Sequence, residues 1–283
     1  VMESFLFPAI GHRPIAEITP RELLDVLREI EKSGRLESAA RVKMKAAQVY
    51  RYAIIEGIVE NDPTISLRGA LKKRTVKHHA AITDPARIGE LMRAIEKFDG
   101  YYVTGCALKL SPLFFVRPGE LRHAKWGEFD LSGGMWRIPG ERMKMKAPHL
   151  VPLSKQAIAI LQDLMELTGT GDYYVFPSVR SNRQPMSENT ITAALRRMGY
   201  SGDEMTAHGF RSMAATRLNE MGWRADAIER QLAHAESNKV REAYTSAAQY
   251  LDERRKMMQA WSDYLDGLRT GAKVVPIRRS RAS

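Results

Sequence analysis

A basic run at residues 71–81 is the sequence feature that most constrains the domain organisation of this chain. The run shows no apolar periodicity, although apolar residues recur at regular spacing on both sides of it. A chain of 283 residues also exceeds the usual size of one domain. We therefore predict two domains, residues 1–75 and residues 83–268, joined by a linker at residues 76–82 and followed by a flexible basic tail at residues 269–283.

The first domain is predicted to be helical. Thr19, Pro20 and Glu22 supply an N-cap, a proline at the first helical position and a capping-box acid, so a helix should run from there to about residue 34. A second helix should span residues 38–55, because apolar residues recur there at helical spacing and Gly57 can end it.

The second domain is predicted to contain mostly helices and one small sheet. Residues 135–138 and 143–153 have the composition of strands, and Pro139-Gly140 between them is typical of a turn. Helices are predicted at residues 83–98, 101–115, 155–167, 187–198, 207–221, 225–234 and 250–268, with a short one around residue 244. The expected fold class is therefore mainly α with a small antiparallel β-sheet.

The chain is strongly basic, with a net charge of +11 and an isoelectric point of about 9.7. This balance indicates a polyanionic partner, with nucleic acid as the first candidate and an anionic membrane surface as the second. Because acids are scarce at residues 38–55, the cations there are interpreted as a DNA-binding face, with a solvated face as the alternative. The linker can lie along phosphates. The predicted DNA contacts are Arg41, Lys43, Lys45, Lys72, Lys73, Arg74 and Lys77.

Other sequence features narrow the class of protein. No stretch of about 20 apolar residues and no signal-peptide pattern occurs, so we expect a cytoplasmic protein with no membrane partner. The single cysteine, Cys106, excludes an internal disulfide and a cysteine-based zinc site, and is expected to be a buried small residue. His78 and His79 have no third metal ligand nearby. Without a Walker phosphate loop or an obvious carboxylate cluster, we expect a reaction that needs neither metal nor cofactor.

The segment from His208 to Tyr244 brings together residue types suited to phosphodiester chemistry. A tyrosine hydroxyl attacks a phosphate only when the developing charge is neutralised, a base takes its proton and an acid protonates the leaving oxygen. The guanidiniums of Arg211 and Arg117 can hold the phosphate oxygens. His208, three residues before Arg211, can act as the base or as a hydrogen-bond donor, and His234 can donate a further bond. Taken singly, a tyrosine or histidine is more often a packed or core-bonded side chain.

Five sequence motifs occur in a fixed order around these residues. They are Val116-Arg117-Pro118-Gly119-Glu120-Leu121; Met143-Lys144-Met145-Lys146 leading to His149-Leu150-Val151-Pro152-Leu153-Ser154; His208-Gly209-Phe210-Arg211; Leu232-Ala233-His234 followed by Tyr244; and Glu253-Arg254-Arg255-Lys256-Met257-Met258. This order resembles that of the tyrosine recombinases, specifically the integrases of satellite phages and genomic islands. The resemblance covers nearly the whole chain to about residue 268.

The resemblance implies which residues form the active site. The implied pocket consists of Arg117, Lys144, His208, Arg211 and His234 around the nucleophile Tyr244, with Glu120 supporting the first arginine. In such enzymes the tyrosine forms a 3′-phosphotyrosyl bond and releases a 5′-hydroxyl, which a lysine on a β-hairpin protonates. Lys144 is preferred for this role by its distance from Pro152, and Lys146 is the competitor because both lysines face the same side of a strand. Arg122 and Arg142 are expected to make backbone contacts or to be surface charges.

The implied activity is site-specific recombination that integrates or excises a mobile element at double-stranded DNA attachment sites in a bacterial host. A helical core-binding domain and a catalytic domain would form a C-shaped clamp on DNA, and four protomers would assemble on two sites. Host DNA-bending and excision factors are further expected partners. The chain begins without the arm-binding domain usual in such integrases, so we expect a fragment with a truncated core-binding domain. The alternatives are a nicking-closing topoisomerase and a non-catalytic DNA-binding protein.

Overall fold

The computed structural model describes residues 2–72, 80–143, 146–233 and 250–271. The chain forms two compact units, residues 1–78 and residues 79–283, and each has a hydrophobic core of its own. No helix of the described ranges is long and apolar enough to cross a bilayer. Residues 76–79 of the predicted linker, the three residues before it and the predicted tail after residue 271 lie outside the described residues.

The first unit is helical, as predicted. Its elements are α1 (Met2–Phe5), α2 (Phe7–Ile10), α3 (Pro20–Lys32) and α4 (Leu36–Ile55), with 3-10 turns at Ile15–Glu17 and Ile65–Leu67. The predicted capping box is present: Thr19 Oγ1 accepts a bond from the Glu22 amide at 3.3 Å, and the Glu22 carboxylate accepts one from the Thr19 amide at 2.9 Å. The core is formed by apolar residues of α3 and α4, including Leu23, Leu27, Ile30, Val42 and Ala46. The short helices α1 and α2 were not predicted.

The second unit contains eight described helices arranged around one core. They are α5 (Pro85–Glu96), α6 (Tyr102–Phe114), α7 (Pro118–Arg122), α8 (Lys155–Thr168), α9 (Thr190–Arg197), α10 (Gly209–Glu220), α11 (Ala225–Gln231) and α12 (Leu251–Thr270). Helix α6 is the central helix, because it is buried at most positions and apolar nearly all round. Cys106 lies on it and is buried, as predicted.

Helix α12 packs closely along α5. A Cβ atom at Gly89 would lie 2.6 Å from the carbonyl oxygen of Leu268, so only glycine permits this approach. Trp261 of α12 is fully buried, and its indole N–H donates to the Pro112 carbonyl oxygen in α6 at 2.8 Å. These contacts join helix α12 firmly to its own unit.

The second unit also contains two small antiparallel sheets. The first has the order β1 (Phe129–Asp130), β2 (Met135–Ile138), β3 (His149–Pro152), and it places Trp136 opposite Val151 and Ile138 opposite His149. The predicted second strand, residues 143–153, is shorter in the structure, where β3 begins at His149. The prediction of a single sheet is wrong: β4 (Pro177–Ser178) and β5 (Ser181–Pro185) form a second hairpin. Because β5 is polar and has no fully buried position, it lacks the alternating apolar pattern that indicates a strand.

Two helices have one end that differs by three residues from its predicted position, more than the ends of the other predicted helices. Helix α9 begins at Thr190, after a turn in which the Thr190 amide donates to the Ser187 carbonyl oxygen at 3.1 Å. Helix α11 ends at Gln231 rather than at residue 234, because Ala233 adopts a left-handed conformation with φ of 50°. The second difference matters for the site, since the chain turns away from the helix axis immediately before His234.

Candidate active site

Arg117 is fixed by the start of a short helix. It is the N-cap residue of α7, and Pro118 occupies the first helical position. The buried carboxylate of Glu120 accepts bonds from the Arg117 amide at 2.9 Å and from its Nη1 at 2.6 Å. One carboxylate therefore holds both the backbone and the guanidinium of Arg117. The arginine side chain keeps about a quarter of its surface exposed, at 27%.

Arg211 lies in the first turn of α10 and is 8% exposed. Its Nη1 donates to the Phe115 carbonyl oxygen at 2.9 Å, and its Nη2 donates to the Leu232 carbonyl oxygen at 2.6 Å. The next carbonyl along the chain, that of Ala233, accepts a bond from Arg117 Nη2 at 3.0 Å. Two guanidiniums are therefore held by consecutive carbonyls just beyond the end of α11.

The C-terminal end of a helix suits this role. The last carbonyls of a helix have no partner within it and carry the negative end of the helix dipole, so they accept readily from cations. Burial, and secondarily the nearby charge of Arg117, lowers the pKa of Arg211 to about 10. Arg211 thus remains protonated at neutral pH. Two adjacent cations repel each other, and a bound anion would relieve that repulsion.

His208 stands beside this pair. It is the N-cap residue of α10, its side chain is exposed, and its carbonyl oxygen accepts the Arg211 amide at 3.1 Å. The following glycine is required by packing, because a Cβ atom at Gly209 would lie 2.4 Å from the Ala80 carbonyl oxygen. The glycine of the His208-Gly209-Phe210-Arg211 motif thus lets the start of α10 approach residues 80 and 81. The structure brings His208, Arg211 and Arg117 to one region.

Four non-glycine residues of the described ranges have left-handed backbone conformations, and three of them lie one or two positions from a predicted site residue. These three are Phe115 before Arg117, Lys146 after Lys144, and Ala233 before His234; the fourth is Tyr250, which precedes α12. Such conformations cost of order 1–3 kcal/mol each and persist only when the surrounding fold imposes them. The fold therefore maintains strained backbone close in sequence to three of the predicted site residues.

Several predicted site residues lie outside the described ranges. They are the catalytic candidates Lys144, His234 and Tyr244 and the DNA-contact candidates Lys73, Arg74 and Lys77, together with His78 and His79. The competitor Lys146 is described: it is exposed and left-handed, and its amide donates to the Met143 carbonyl oxygen at 3.0 Å. The preference for Lys144 over Lys146 stays a prediction.

The other predicted DNA contacts are placed on the first unit. Arg41 and Lys45 are exposed on α4, and Lys72 is exposed beyond it. Arg41 forms an ion pair with Glu37 at 2.7 Å. Glu37 lies one residue before the acid-poor stretch, residues 38–55. The ammonium of Lys43 donates to the Leu67 carbonyl oxygen, so Lys43 has an internal partner. Of the three predicted contacts on α4, Arg41 and Lys45 are thus more accessible to a phosphate than Lys43.

Two further arginines near the site have internal partners. Arg122 Nη1 donates to the Met186 carbonyl oxygen at 2.9 Å. Arg142 forms an ion pair with Glu128 and approaches the Glu120 carbonyl oxygen at 3.5 Å. These contacts join neighbouring loops of the second unit. Within the described ranges, no three His, Cys, Asp or Glu side chains are grouped as metal ligands would be.

His149 is part of the site region, although its sequence motif did not predict a role for it. It lies on β3, is 6% exposed, and its Nε2 lies 3.1 Å from the Gln231 carbonyl oxygen. The carbonyls of residues 231, 232 and 233 therefore contact His149, Arg211 and Arg117 in turn. Burial, followed by the charge of Arg254, lowers the pKa of His149 to about 3, so its ring is neutral at neutral pH.

The depressed pKa of His149 predicts an acid-sensitive fold. The unfolded chain binds a proton at this residue below about pH 6.5, whereas the folded chain binds it only near pH 3. Stability should therefore fall by about 1.4 kcal/mol per pH unit between these values, which amounts to about 2 kcal/mol at pH 5. Urea unfolding at about pH 7.5 and about pH 5 measures the difference. His149→Gln should remove most of this loss, and His123→Gln, at a more accessible histidine of the same unit, should retain it. Equal pH dependence in the wild type and in His149→Gln would refute this explanation.

Comparisons with known proteins agree with this organisation. The model of the phage integrase family matches residues 82–250, and that of the phage integrase central domain matches residues 1–70. The putative protein IntB of Escherichia coli K12 is 41% identical over 94% of this chain and 70% of its own length. The integrase of Enterobacteria phage P4 is 40% identical over 94% of this chain and 63% of its own length. The chain thus spans roughly two thirds of these relatives.

Solved structures show the same fold. A lambda integrase fragment (residues 75–356), crystallised as a dimer on a core site, has a TM-score of 0.65 at 22% identity, over 82% of this chain and 85% of that one. The Tn1549 transposon integrase, solved with circular intermediate DNA, has a TM-score of 0.64 at 15% identity, over 90% of each chain. Because the family models together match most of the chain and close relatives share about two fifths of its residues, this chain belongs to the phage integrase family of tyrosine recombinases.

Proposed function

We propose that this chain is a site-specific DNA recombinase that cleaves and rejoins DNA through a 3′-phosphotyrosyl intermediate. One observation carries the proposal: two guanidiniums, those of Arg117 and Arg211, are held side by side on consecutive carbonyls beside His208. Preorganised donors of this kind stabilise the charge that develops on a phosphate during transfer. Family membership supports the same reaction class.

In the proposed mechanism, the hydroxyl oxygen of Tyr244 attacks the scissile phosphorus in line with the leaving 5′ oxygen. Arg117 and Arg211 bind the non-bridging oxygens, and both remain charged throughout. His208 accepts the tyrosine proton or donates to the phosphate, and His234 donates a further bond. Lys144 protonates the 5′ oxygen as its bond to phosphorus breaks. The new phosphotyrosine is a phosphodiester, so attack by a 5′-hydroxyl reseals the strand without any nucleotide.

The two units have different proposed roles. We assign the core-binding domain to residues 1–75 and the catalytic domain to residues 83–268, which the ranges of the two family models support. The exposed cations Arg41, Lys45 and Lys72 would contact backbone phosphates. The partner would be a double-stranded attachment site, on which four protomers assemble. Host DNA-bending and excision factors are further proposed partners in a bacterial cytoplasm.

The products of the reaction test this proposal. Duplex oligonucleotides tiled across the ends of the mobile element, each carrying a nick that traps the intermediate, should yield a covalent complex at one position. The chain of 283 residues, added to a supercoiled plasmid that bears two such sites, should then produce recombinant junctions. Relaxation without junctions would favour a nicking-closing topoisomerase. DNA binding without any adduct would favour a non-catalytic DNA-binding protein.

A further inference from the structure

Arg254 is a fully buried arginine that joins three elements near the candidate site. It lies in the first turn of α12 and is 0% exposed. Its Nε and Nη2 both donate to the side-chain oxygen of Gln231, at 3.1 and 2.6 Å, and its Nη2 also donates to the Leu150 carbonyl oxygen. Gln231 is the last residue of α11, and Leu150 lies on β3. Arg254 therefore connects α12 to α11 and β3 through one guanidinium.

This arrangement is unfavourable for stability. In the described ranges Arg254 Nη1 and Gln231 Nε2 are buried without a hydrogen-bond partner, and no carboxylate forms an ion pair with Arg254. Burial, followed by the charge of Arg230, lowers the pKa of Arg254 to about 9, so the group is still charged at neutral pH. An unpaired buried cation is expensive, and apolar side chains of similar volume often stabilise a fold by comparison. A contribution to stability is therefore a poor explanation for this arginine.

The position of Gln231 suggests a different explanation. The two residues that follow it, Leu232 and Ala233, present the carbonyls that hold Arg211 and Arg117. The main-chain carbonyl of Gln231 is itself in contact with His149 of β3. Any displacement of the end of α11 would move both carbonyls, and both guanidiniums would lose their acceptors. Arg254 is the described side chain that fixes this end to α12 and to β3 together.

We propose that Arg254 is a positioning residue for recombination: through Gln231 and Leu150 it fixes the end of α11, so that the carbonyls of Leu232 and Ala233 hold the two phosphate-binding arginines in register. This inference rests on the proposed function for its catalytic consequence. Its structural consequence, the restraint of Arg117 and Arg211, is independent of any reaction. Arg254 does not touch the phosphate, so its removal should slow strand cleavage without weakening DNA binding.

The test compares variants that remove the charged contact with one that removes a neighbouring arginine. Arg254→Met removes the guanidinium, and the double variant Arg254→Met with Gln231→Leu also removes the amide that would be left unpaired. Arg255→Met is the matched control, because Arg255 is the next residue on α12, is exposed, and within the described part of the chain donates to the Gly133 carbonyl oxygen, at 3.0 Å. Three quantities are measured for each: the melting temperature, the DNA dissociation constant, and the single-turnover cleavage rate on the nicked substrate.

The double variant should melt at or above the wild-type temperature and bind DNA within about twofold of the wild-type affinity. It should cleave DNA about tenfold to a hundredfold more slowly, which is the usual loss when a residue that supports a site indirectly is removed. Arg255→Met should match the wild type in all three quantities. A melting temperature that falls together with the cleavage rate would indicate a merely structural role and overturn the proposal. So would an unchanged cleavage rate.

A second measurement separates this inference from the proposed function. Hydrogen exchange of the guanidinium protons, followed by NMR, reports how firmly Arg117 and Arg211 are held, even if the wild type cleaves no DNA. Exchange of both groups should accelerate at least severalfold in the double variant and remain unchanged in Arg255→Met. Unchanged exchange in the double variant would overturn the positioning role. Absence of an adduct in the wild type would count against the proposed function alone.

Discussion

Tyr244→Phe should abolish covalent protein–DNA complexes while leaving DNA affinity within about twofold of wild type, because phenylalanine keeps the ring but lacks the attacking oxygen. Affinity is set chiefly by cations that neutralise phosphates, and the substitution leaves those cations in place. The assay is the nicked substrate used above, with the complex detected as a shifted band on a denaturing gel. The prediction rests on the sequence motif, since Tyr244 lies outside the described residues.

The matched control for this substitution is Tyr101→Phe. Tyr101 belongs to the same unit and is 48% exposed, and its hydroxyl has no part in the proposed mechanism. This variant should form the covalent complex at the wild-type rate. An adduct that survives in Tyr244→Phe would show that another residue attacks, and mass spectrometry of the linked peptide would identify it.

Arg211→Ala should slow single-turnover cleavage by about 10²–10³-fold, which corresponds to about 3–4 kcal/mol of transition-state stabilisation. The guanidinium donates to the carbonyl oxygens of Phe115 and Leu232, so alanine also leaves two buried acceptors without this partner. Arg211→Lys is therefore the cleaner variant, because it keeps the charge and loses the planar fork that binds two oxygens at once. We expect a cleavage defect in Arg211→Lys as well, with DNA binding retained.

Arg217→Lys provides the comparison for Arg211→Lys. Arg217 lies on the same helix, α10, where it contacts Glu220 and the hydroxyl of Tyr264 instead of the carbonyls of the site. Its replacement should leave the cleavage rate unchanged. If Arg211→Lys cleaves as fast as Arg217→Lys at saturating DNA, then Arg211 has no special role in the transition state.

The helical framework was predictable because it is encoded locally. The capping box at Thr19 and Glu22, the proline at the start of α5 and the apolar spacing of α12 each depend on residues a few positions apart. The prediction failed where local signals were weak. The polar strand β5 has no fully buried residue, and the end of α11 depends on a left-handed alanine that composition does not reveal.

The sequence alone determined the order of the helices, the basic character of the chain and the choice of Arg117, His208 and Arg211 as candidate site residues, because side-chain type and spacing carry that information. Only the tertiary structure decided which groups hold those side chains. The acceptors for Arg211 belong to Phe115 and Leu232, about a hundred and about twenty residues away in sequence, and they are main-chain carbonyls that every amino acid has. The contacts of the buried Arg254 and His149 likewise depend on the tertiary structure, since their common partner Gln231 comes close only when α11, α12 and β3 pack together. The main-chain carbonyls of Phe115, Leu232 and Ala233 therefore hold the two arginines only because folding brings them together.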